Sequence, residues 1–232
     1  MGVPVILVFE GWDAAGKGTV INRLGQALDP RGFRVHPSRS PNRTERLHAW
    51  MWRFWADVPA AGDISILDQS WYGRVLHERM EHRLPKRQWQ KAYQDILEFE
   101  QQLAEAGTVI VKFWLHINKE EQKKRFERLE NDAATAWKVG KDERKRHKKY
   151  SRWLEVVEEM LERTGTAGAP WTVVEATDDR YTRVKVFETV IEAIRREIDR
   201  RQAVLPASAP SLRLVGSPLA VRTVLDRVDL TV

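Results

Sequence analysis

A glycine-framed turn near the start of the chain carries the residue types that bind phosphate. Gly11, Gly16 and Lys17 satisfy the pattern G-x-x-x-x-G-K within GWDAAGKGT. Backbone N–H groups in such a loop point inward at an anion, and the following helix directs its positive dipole end at the same point. Glycines let phosphate oxygens approach without a Cβ in the way. The sequence therefore predicts a phosphate-binding loop formed by Gly11, Ala14, Ala15, Gly16, Lys17, Gly18 and Thr19.

Two carboxylates are candidates for holding a divalent cation beside this loop. Asp68 ends the apolar run ISILD, and Asp13 lies inside the loop, where it would repel phosphate unless a metal ion lay between them. The usual pattern places Ser or Thr directly after the lysine as a magnesium ligand, whereas here Gly18 intervenes and Thr19 follows. We therefore expect Asp13 and Asp68 to hold Mg²⁺, with Mn²⁺ as an alternative ion. The structural alternative for Asp68 is a cap on the next helix or turn.

The elements that must position these residues alternate between strands and helices. Short apolar runs predict strands, and apolar residues three or four positions apart predict helices. Strands are predicted at 5–9, 33–36, 64–67, 108–117 and 171–175. Helices are predicted at 17–28, 44–56, 86–106, 119–129, 152–164 and 180–200, while 131–149 is too polar to assign. The alternation predicts an α/β fold with a mainly parallel five-stranded sheet flanked by helices.

Length and composition indicate one domain with a tail. The chain has 232 residues, and we expect a domain at 1–202 followed by a linker-like tail at 203–232. A run of about 18 apolar residues, as needed to cross a membrane, does not occur, nor does a secretory leader pattern. The chain has no cysteine, which excludes disulfides and thiolate metal sites. These features predict a soluble, cytoplasmic protein that does not bind membranes.

The positive charge of the chain is concentrated in one segment. The formal net charge is +6, and residues 123–152 hold 12 Lys or Arg against 5 Asp or Glu. A local field of this sign attracts polyanions, namely nucleic acid, membrane headgroups or chains of phosphate. The structural alternative is a solvated helix face.

Five sequence segments, taken in order, resemble one known family. They are GWDAAGKGT, LDPRGFRVH, WRFW, LDQSWYGRVLHERME and APW, at 11–19, 28–36, 52–55, 67–81 and 169–171. Together they resemble the polyphosphate kinase 2 family, and within it the polyphosphate:AMP phosphotransferases, from about residue 5 to about residue 192. The resemblance implies a P-loop kinase-like three-layer fold with a helical basic lid at about 123–152.

The resemblance also implies an activity and its substrates. A terminal phosphoryl group would pass between inorganic polyphosphate and a nucleotide with Mg²⁺, in line and without a covalent intermediate. AMP to ADP is the preferred reaction and ADP to ATP the second. No nucleic acid is expected as a partner, and the protein is expected to be a homo-oligomer or part of a tandem protein.

Residue by residue, the resemblance places a catalytic set on Asp13, Lys17, Asp68 and Arg74, of which the two aspartates are the metal pair. The cations implied to bind polyphosphate or the nucleotide are Arg53, Arg74, Arg79, Arg125, Arg128 and Lys138. One departure from the family pattern is Gln69, because members usually have arginine between this aspartate and the following serine. The loss removes a positive charge beside Asp68.

Three other functions are compatible with parts of the sequence. An ATP-dependent nucleoside monophosphate kinase uses the same loop and a basic lid, although the local charge at 123–152 favours polyphosphate as donor. A GTPase-like switch is suggested by NKEE at 118–121, but no D-x-x-G follows the third strand. The third alternative is a non-catalytic half of a tandem phosphotransferase.

Overall fold

The computed structural model describes residues 2–37 and 39–204. The last helix extends to Val204, so the rest of the tail predicted for 203–232 lies outside the described residues. Within the described part, no helix combines the length and the apolar character needed to cross a membrane.

Five strands form one sheet in which every neighbouring pair is parallel, as predicted. The spatial order is β2-β3-β1-β4-β5, so β1 is central, and its apolar residues are buried because helices cover both faces. All carboxyl ends therefore share one edge, where crevices between strands form binding sites. The strands are β1 Val5–Gly11, β2 Phe33–Pro37, β3 Ile64–Asp68, β4 Val109–His116 and β5 Trp171–Glu175.

Eight helices surround the sheet in the described residues, and they confirm the predicted three-layer α/β fold. The longest of them, α8, packs on β4, β5 and α1. Their bounds are α1 Lys17–Ala27, α2 Trp52–Trp55, α3 His77–Met80, α4 Lys86–Glu105, α5 Lys119–Glu130, α6 Lys141–Lys148, α7 Tyr150–Thr164 and α8 Asp179–Val204.

The single helix predicted at 44–56 is wrong. A 3₁₀ turn at Glu45–Leu47 and the short α2 replace it, and His48 between them has an extended backbone (φ −110°, ψ 169°). The turn is held by the buried carboxylate of Glu45, which accepts the backbone N–H of Asn42 at 2.8 Å. Apolar spacing predicted one continuous helix because this local polar contact has no apolar signature.

The polar segment that the sequence left unassigned contains α6. Asp142 and Glu143 lie in its first turn and basic residues fill its last turn, an order that complements the helix dipole. The Glu143 carboxylate also accepts the backbone N–H of Gly140 at 2.8 Å. No residue of α6 is buried, so periodicity of apolar residues could not reveal it.

A buried polar network fastens the segment after β3 to the centre of the fold. Lys112 Nζ donates to Glu100 Oε2 at 2.7 Å, to the Tyr72 hydroxyl at 2.9 Å and to the Thr164 carbonyl at 2.7 Å. Glu100 Oε1 accepts the Tyr72 hydroxyl at 2.6 Å and the Trp71 indole N–H at 3.0 Å. Burial raises the pKa of Glu100 and lowers the pKa of Lys112. If either Glu100 or Lys112 is removed, the charge of the other is left buried without its partner.

Breaking this network should unfold the protein more easily. We expect Lys112→Met to lower the free energy of unfolding by about 3–5 kcal/mol, because it leaves the Glu100 carboxylate buried without its cation. The double variant Lys112→Met, Glu100→Leu should lose much less than the sum of the two single losses. Urea denaturation of the wild type, Lys112→Met, Glu100→Leu and the double variant measures this coupling. Additive losses of the free energy of unfolding would show that the pair does not act as a unit.

Candidate active site

The loop between β1 and α1 has the strand–loop–helix geometry that binds phosphate. Gly11 has φ 147°, and a Cβ there would stand 2.6 Å from the Leu115 carbonyl oxygen. Gly16, which precedes α1, has φ 100°, a conformation that favours glycine. Lys17 Nζ donates to the carbonyls of Gly11 at 2.9 Å and Trp12 at 3.1 Å, so its ammonium spans the loop.

A buried arginine of α5 anchors the outer side of this loop. Arg125 donates to the carbonyls of Ala14 at 3.1 Å, Ala176 at 2.7 Å and Thr177 at 3.0 Å, and it pairs with Glu121 at 2.8 Å. The sequence predicted Arg125 as a contact to polyphosphate or nucleotide. Its donors are instead directed at the backbone, so the structure gives it a role in fixing the loop.

The carboxylate of Asp13 contacts an arginine that the sequence did not single out. Arg146 of α6 donates to Asp13 through Nε at 2.6 Å and Nη2 at 3.3 Å, and to Glu143 at 2.5 Å. Burial lowers the pKa of Arg146, but hydrogen bonds and charge from the two acids raise it above its ordinary value. Arg146 therefore stays charged, and its contacts with Asp13 join the basic segment to the loop. The face on which Arg146 lies could be read only once α6 was known to be a helix.

Asp13 and Asp68 line the same cavity, as the proposed metal pair requires. Asp68 ends β3 beside Phe9 of β1, and the cavity has a volume of about 1080 Å³. We call it the loop cavity, and its lining includes Asp13, Ala14, Ala15, Gly16, Lys17, Gly18, Thr19, Asp68, Arg125, Arg128, Trp137 and Lys138. Every predicted loop residue except Gly11 thus lines this cavity.

The donor set of the loop cavity fits magnesium. Magnesium binds oxygen ligands and is held by one or two carboxylates together with substrate phosphates. Asp13 and Asp68 supply two carboxylates, and Thr19 adds a hydroxyl to the same lining. Within the described residues, no group of three or more His, Asp or Glu side chains could hold a metal alone.

A second cavity adjoins the first. It has a volume of about 700 Å³, and we call it the arginine cavity. Its lining includes Arg39, Arg46, Trp50, Arg53, Phe54, Trp71, Arg74, His77, Arg83 and Arg146. Four residues line both cavities and so form the wall between them: Asp13, Pro37, Gln69 and Glu143.

Arg53 and Arg74 are both held in the arginine cavity. Arg53 donates to the Arg39 carbonyl at 3.0 Å. Arg74 pairs with Glu78 at 2.7 Å and lies 5.3 Å from the Trp50 ring centre. The Nε atoms of both arginines are buried without a hydrogen-bond partner among the described residues. Such unpaired donors are a feature of sites whose hydrogen bonds are completed on binding.

Arg79 lies elsewhere in the structure. Its guanidinium pairs with Glu159 at 2.7 Å and lies 3.9 Å from the Trp89 ring centre. Neither cavity has Arg79 among its lining residues in the described part of the chain. Its contacts join α3 to α4 and α7, so the structure does not bring it together with Arg53 and Arg74.

A buried glutamate that the sequence did not single out holds the turn after β3. Glu10 Oε1 accepts the backbone N–H of Ser70 at 2.8 Å and its hydroxyl at 2.9 Å. Gln69, between Asp68 and Ser70, has φ 62°, which is uncommon for a residue other than glycine. Burial raises the pKa of Glu10 to about 7, although Ser70 and Lys17 act to lower it. Glu10 thereby links the start of the loop to the position of Asp68.

The comparisons with known proteins place this site in a family. The sequence model of polyphosphate kinase 2 matches residues 1–202. The chain belongs to the polyphosphate kinase 2 family. Family membership confirms the resemblance drawn from the ordered segments.

Relatives within the polyphosphate kinase 2 family differ in length. A polyphosphate:AMP phosphotransferase from Pseudomonas syringae pv. tomato is 44% identical over 196 residues, covering 84% of this chain and 39% of the relative. An ADP-polyphosphate phosphotransferase from Pseudomonas aeruginosa is 34% identical over 206 residues, covering 88% of this chain and 68% of the relative. The crystal structure of polyphosphate kinase 2 from Arthrobacter aurescens TC1 has 32% identity and a TM-score of 0.79. The match covers 83% of this chain and 68% of the chain in that structure. The chain spans about two fifths of the polyphosphate:AMP relative.

The histidine in the arginine cavity should make stability depend on pH. Burial, with the positive charge of Arg146, lowers the pKa of His77 to about 4 from its ordinary 6.5. Between these values the unfolded chain binds a proton that the folded chain does not, so the free energy of unfolding should fall as pH drops from 6.5 to 4. The loss should approach about 3 kcal/mol, from 1.36 kcal/mol per unit of pKa.

Urea denaturation of the wild type and His77→Gln across this pH range measures the effect. The glutamine variant keeps a polar side chain but has no proton to bind, so its curve should lack this contribution. Parallel curves for the two proteins would show that His77 does not remain neutral in the folded state.

Proposed function

We propose that this chain transfers a terminal phosphoryl group directly between inorganic polyphosphate and a nucleotide, with AMP to ADP as the preferred reaction and ADP to ATP as the second. The observation that carries the proposal is that two cavities with Lys or Arg in their linings adjoin at Asp13, which lines both of them. Two phosphate-bearing substrates that meet where the cavities adjoin can react directly, without a carrier on the protein.

The linings of the two cavities support an assignment of the substrates. The loop cavity offers backbone N–H groups together with Lys17, Arg128 and Lys138, which suits a chain made only of phosphate. The arginine cavity combines cations with the aromatic rings of Trp50 and Phe54, which suits a phosphate joined to a nucleoside. We therefore assign polyphosphate to the loop cavity and the nucleotide to the arginine cavity.

The chemistry needs positioned charge more than a reactive side chain. An oxygen of the nucleotide phosphate attacks the terminal phosphorus while the bond to the bridging oxygen breaks, so polyphosphate leaves one unit shorter. Lys17 offers its ammonium on the donor side. Arg74 and Arg146, which line the arginine cavity, supply positive charge for the equatorial oxygens of the loose transition state.

Asp13 and Asp68 are the residues that would hold Mg²⁺, or Mn²⁺ in its place. When bound there, the ion offsets the charge of the transferring group. Arg146 contacts the same Asp13 carboxylate, so α6 brings its own cation to the point where the cavities meet. Closure of the 123–152 segment over the loop would also exclude water, which otherwise accepts the phosphoryl group.

The proposal extends to the assembly. The matched polyphosphate:AMP phosphotransferase is more than twice as long as the segment that this chain covers. We therefore propose that the working protein contains a second such unit, as a tandem domain or as another copy of the chain.

Donor identity tests the proposed function directly. The purified chain with Mg²⁺ and AMP should form ADP when polyphosphate is supplied and should form far less with ATP. Chromatography of the nucleotides measures the products, and ADP serves as the second acceptor. Turnover with ATP alone would identify a nucleoside monophosphate kinase, whereas no turnover with any donor would identify a non-catalytic half.

The metal assignment predicts the effect of one substitution. Asp68→Asn should lower kcat by about 10²–10⁴-fold. The variant loses a carboxylate that would hold the metal ion, and such an ion stabilises the charge of the transition state by several kcal/mol. The matched control is Asp63→Asn, which alters an exposed aspartate just before the other end of β3 and should keep full activity. Near-normal turnover of Asp68→Asn, with the fold intact by circular dichroism, would remove Asp68 from the metal site.

A further inference from the structure

The outer face of α6 carries a stripe of positive charge that neither cavity uses. Its four members are three, four and seven residues from the first, so they share one side of the helix, and all are exposed. The opposite side carries Glu143 and Arg146, which face Asp13. We call this stripe the lid face, and its residues are Lys141, Arg144, Lys145 and Lys148.

The lid face begins where the loop cavity ends. Lys138 lines the loop cavity, and α6 starts three residues later at Lys141. From Lys141 to Lys148 the stripe extends about 10 Å at 1.5 Å per residue. The first residue of the lid face is therefore only three positions along the chain from a cation of the loop cavity.

Acidic side chains neutralise the lid face in part. Arg144 pairs with Glu130, and Lys145 lies 3.4 Å from Asp142. Lys141 and Lys148 form no ion pair with any residue in the described ranges 2–37 and 39–204. The stripe as a whole keeps a net positive charge.

The neighbouring helix adds to the same field. The His147 ring lies 5.7 Å from the Phe126 ring of α5, and burial, followed by the charges of Lys119, Lys123 and Arg144, lowers the pKa of His147. Lys119 is exposed, and Lys123 lies 3.8 Å from Glu127. Positive potential at this surface therefore comes from two helices.

We propose that the lid face binds the part of a long inorganic polyphosphate chain that extends beyond the loop cavity. This inference rests on the proposed function, since it takes polyphosphate as the donor in that cavity. A long donor can place its end at Lys17, but the remaining units must leave along the surface. A continuous cationic path holds them there, because a polyanion that replaces counterions with protein cations gains free energy. The lid face thus makes donor affinity depend on chain length.

The opposite interpretation predicts a different result. Basic residues in the last turn of α6 compensate the helix dipole, and a solvated charged face needs no ligand. In that case the length of the donor would not affect how tightly the chain binds it.

The experiment compares a long and a short donor in one variant. Lys141→Gln, Lys145→Gln and Lys148→Gln are combined, while Arg144 is kept because it joins α6 to α5. The KM for long-chain polyphosphate should rise about tenfold, the scale of three exposed charge contacts. The KM for tetrapolyphosphate, which does not reach the lid face, should change less than about twofold, as should kcat with either donor.

A matched control tests whether net charge alone explains the result. Lys86→Gln, Arg195→Gln and Arg196→Gln remove the same charge from exposed positions on α4 and α8 and should leave both KM values unchanged. Binding of labelled long-chain polyphosphate, followed by anisotropy without nucleotide, supplies a readout that needs no turnover. Its salt dependence should weaken in the lid-face variant, because fewer counterions are released.

The outcomes separate this inference from the proposed function. Wild-type protein that binds long-chain polyphosphate but never transfers phosphate would contradict the proposed function alone, and the binding comparison would still decide the lid face. Equal KM changes for both donors, or an equal loss in the control variant, would overturn the inference. Tighter binding of duplex DNA or of anionic vesicles than of polyphosphate would overturn it too.

Discussion

The site is organised around a carboxylate placed inside an anion-binding loop. Asp13 lies among backbone N–H groups and beside Lys17, in a loop whose geometry favours phosphate. A negative side chain there repels the ligand of the loop unless a cation accompanies it. Arg146 supplies one at 2.6 Å, and α6 is thereby attached to the loop by charge. This pairing is one of the contacts that position α6 beside the loop.

The parallel sheet brings that pairing to the junction between the two cavities. Phe9, Pro37 and Asp68 are neighbours in register, so the segments that follow β1, β2 and β3 leave the sheet together. The loop cavity opens on one side of this junction and the arginine cavity on the other. The Glu10 carboxylate holds Ser70, which follows the end of β3, and the Lys112 network holds Tyr72 in the segment immediately after it. Buried polar groups therefore hold rigid the residues whose relative positions the chemistry requires.

The sequence predicted what apolar periodicity and motif spacing encode. All five strands, their parallel arrangement and the loop with Asp13 and Asp68 on one cavity follow from short apolar runs and from the order of segments along the chain. The sequence did not reveal α6 or Arg146, because a helix without a buried residue has no apolar period. It also did not reveal which groups Arg125 and Arg79 contact, since a count of cations does not say whether an arginine meets a backbone carbonyl, a glutamate or a cavity.

A helix held by charge can respond to charge. Most helices of this fold are fixed by apolar burial, which changes little with salt or ligand, whereas α6 buries none of its residues. Two of its attachments are ion pairs, from Arg146 to Asp13 and from Arg144 to Glu130, and His147 adds a hydrogen-bond contact with Gln122. Ion pairs at partly exposed positions are weak and are screened by salt. In the proposed function, a polyanion that enters the loop cavity brings negative charge close to the Asp13–Arg146 pair, so the charge that binds the substrate also acts on one attachment of this helix.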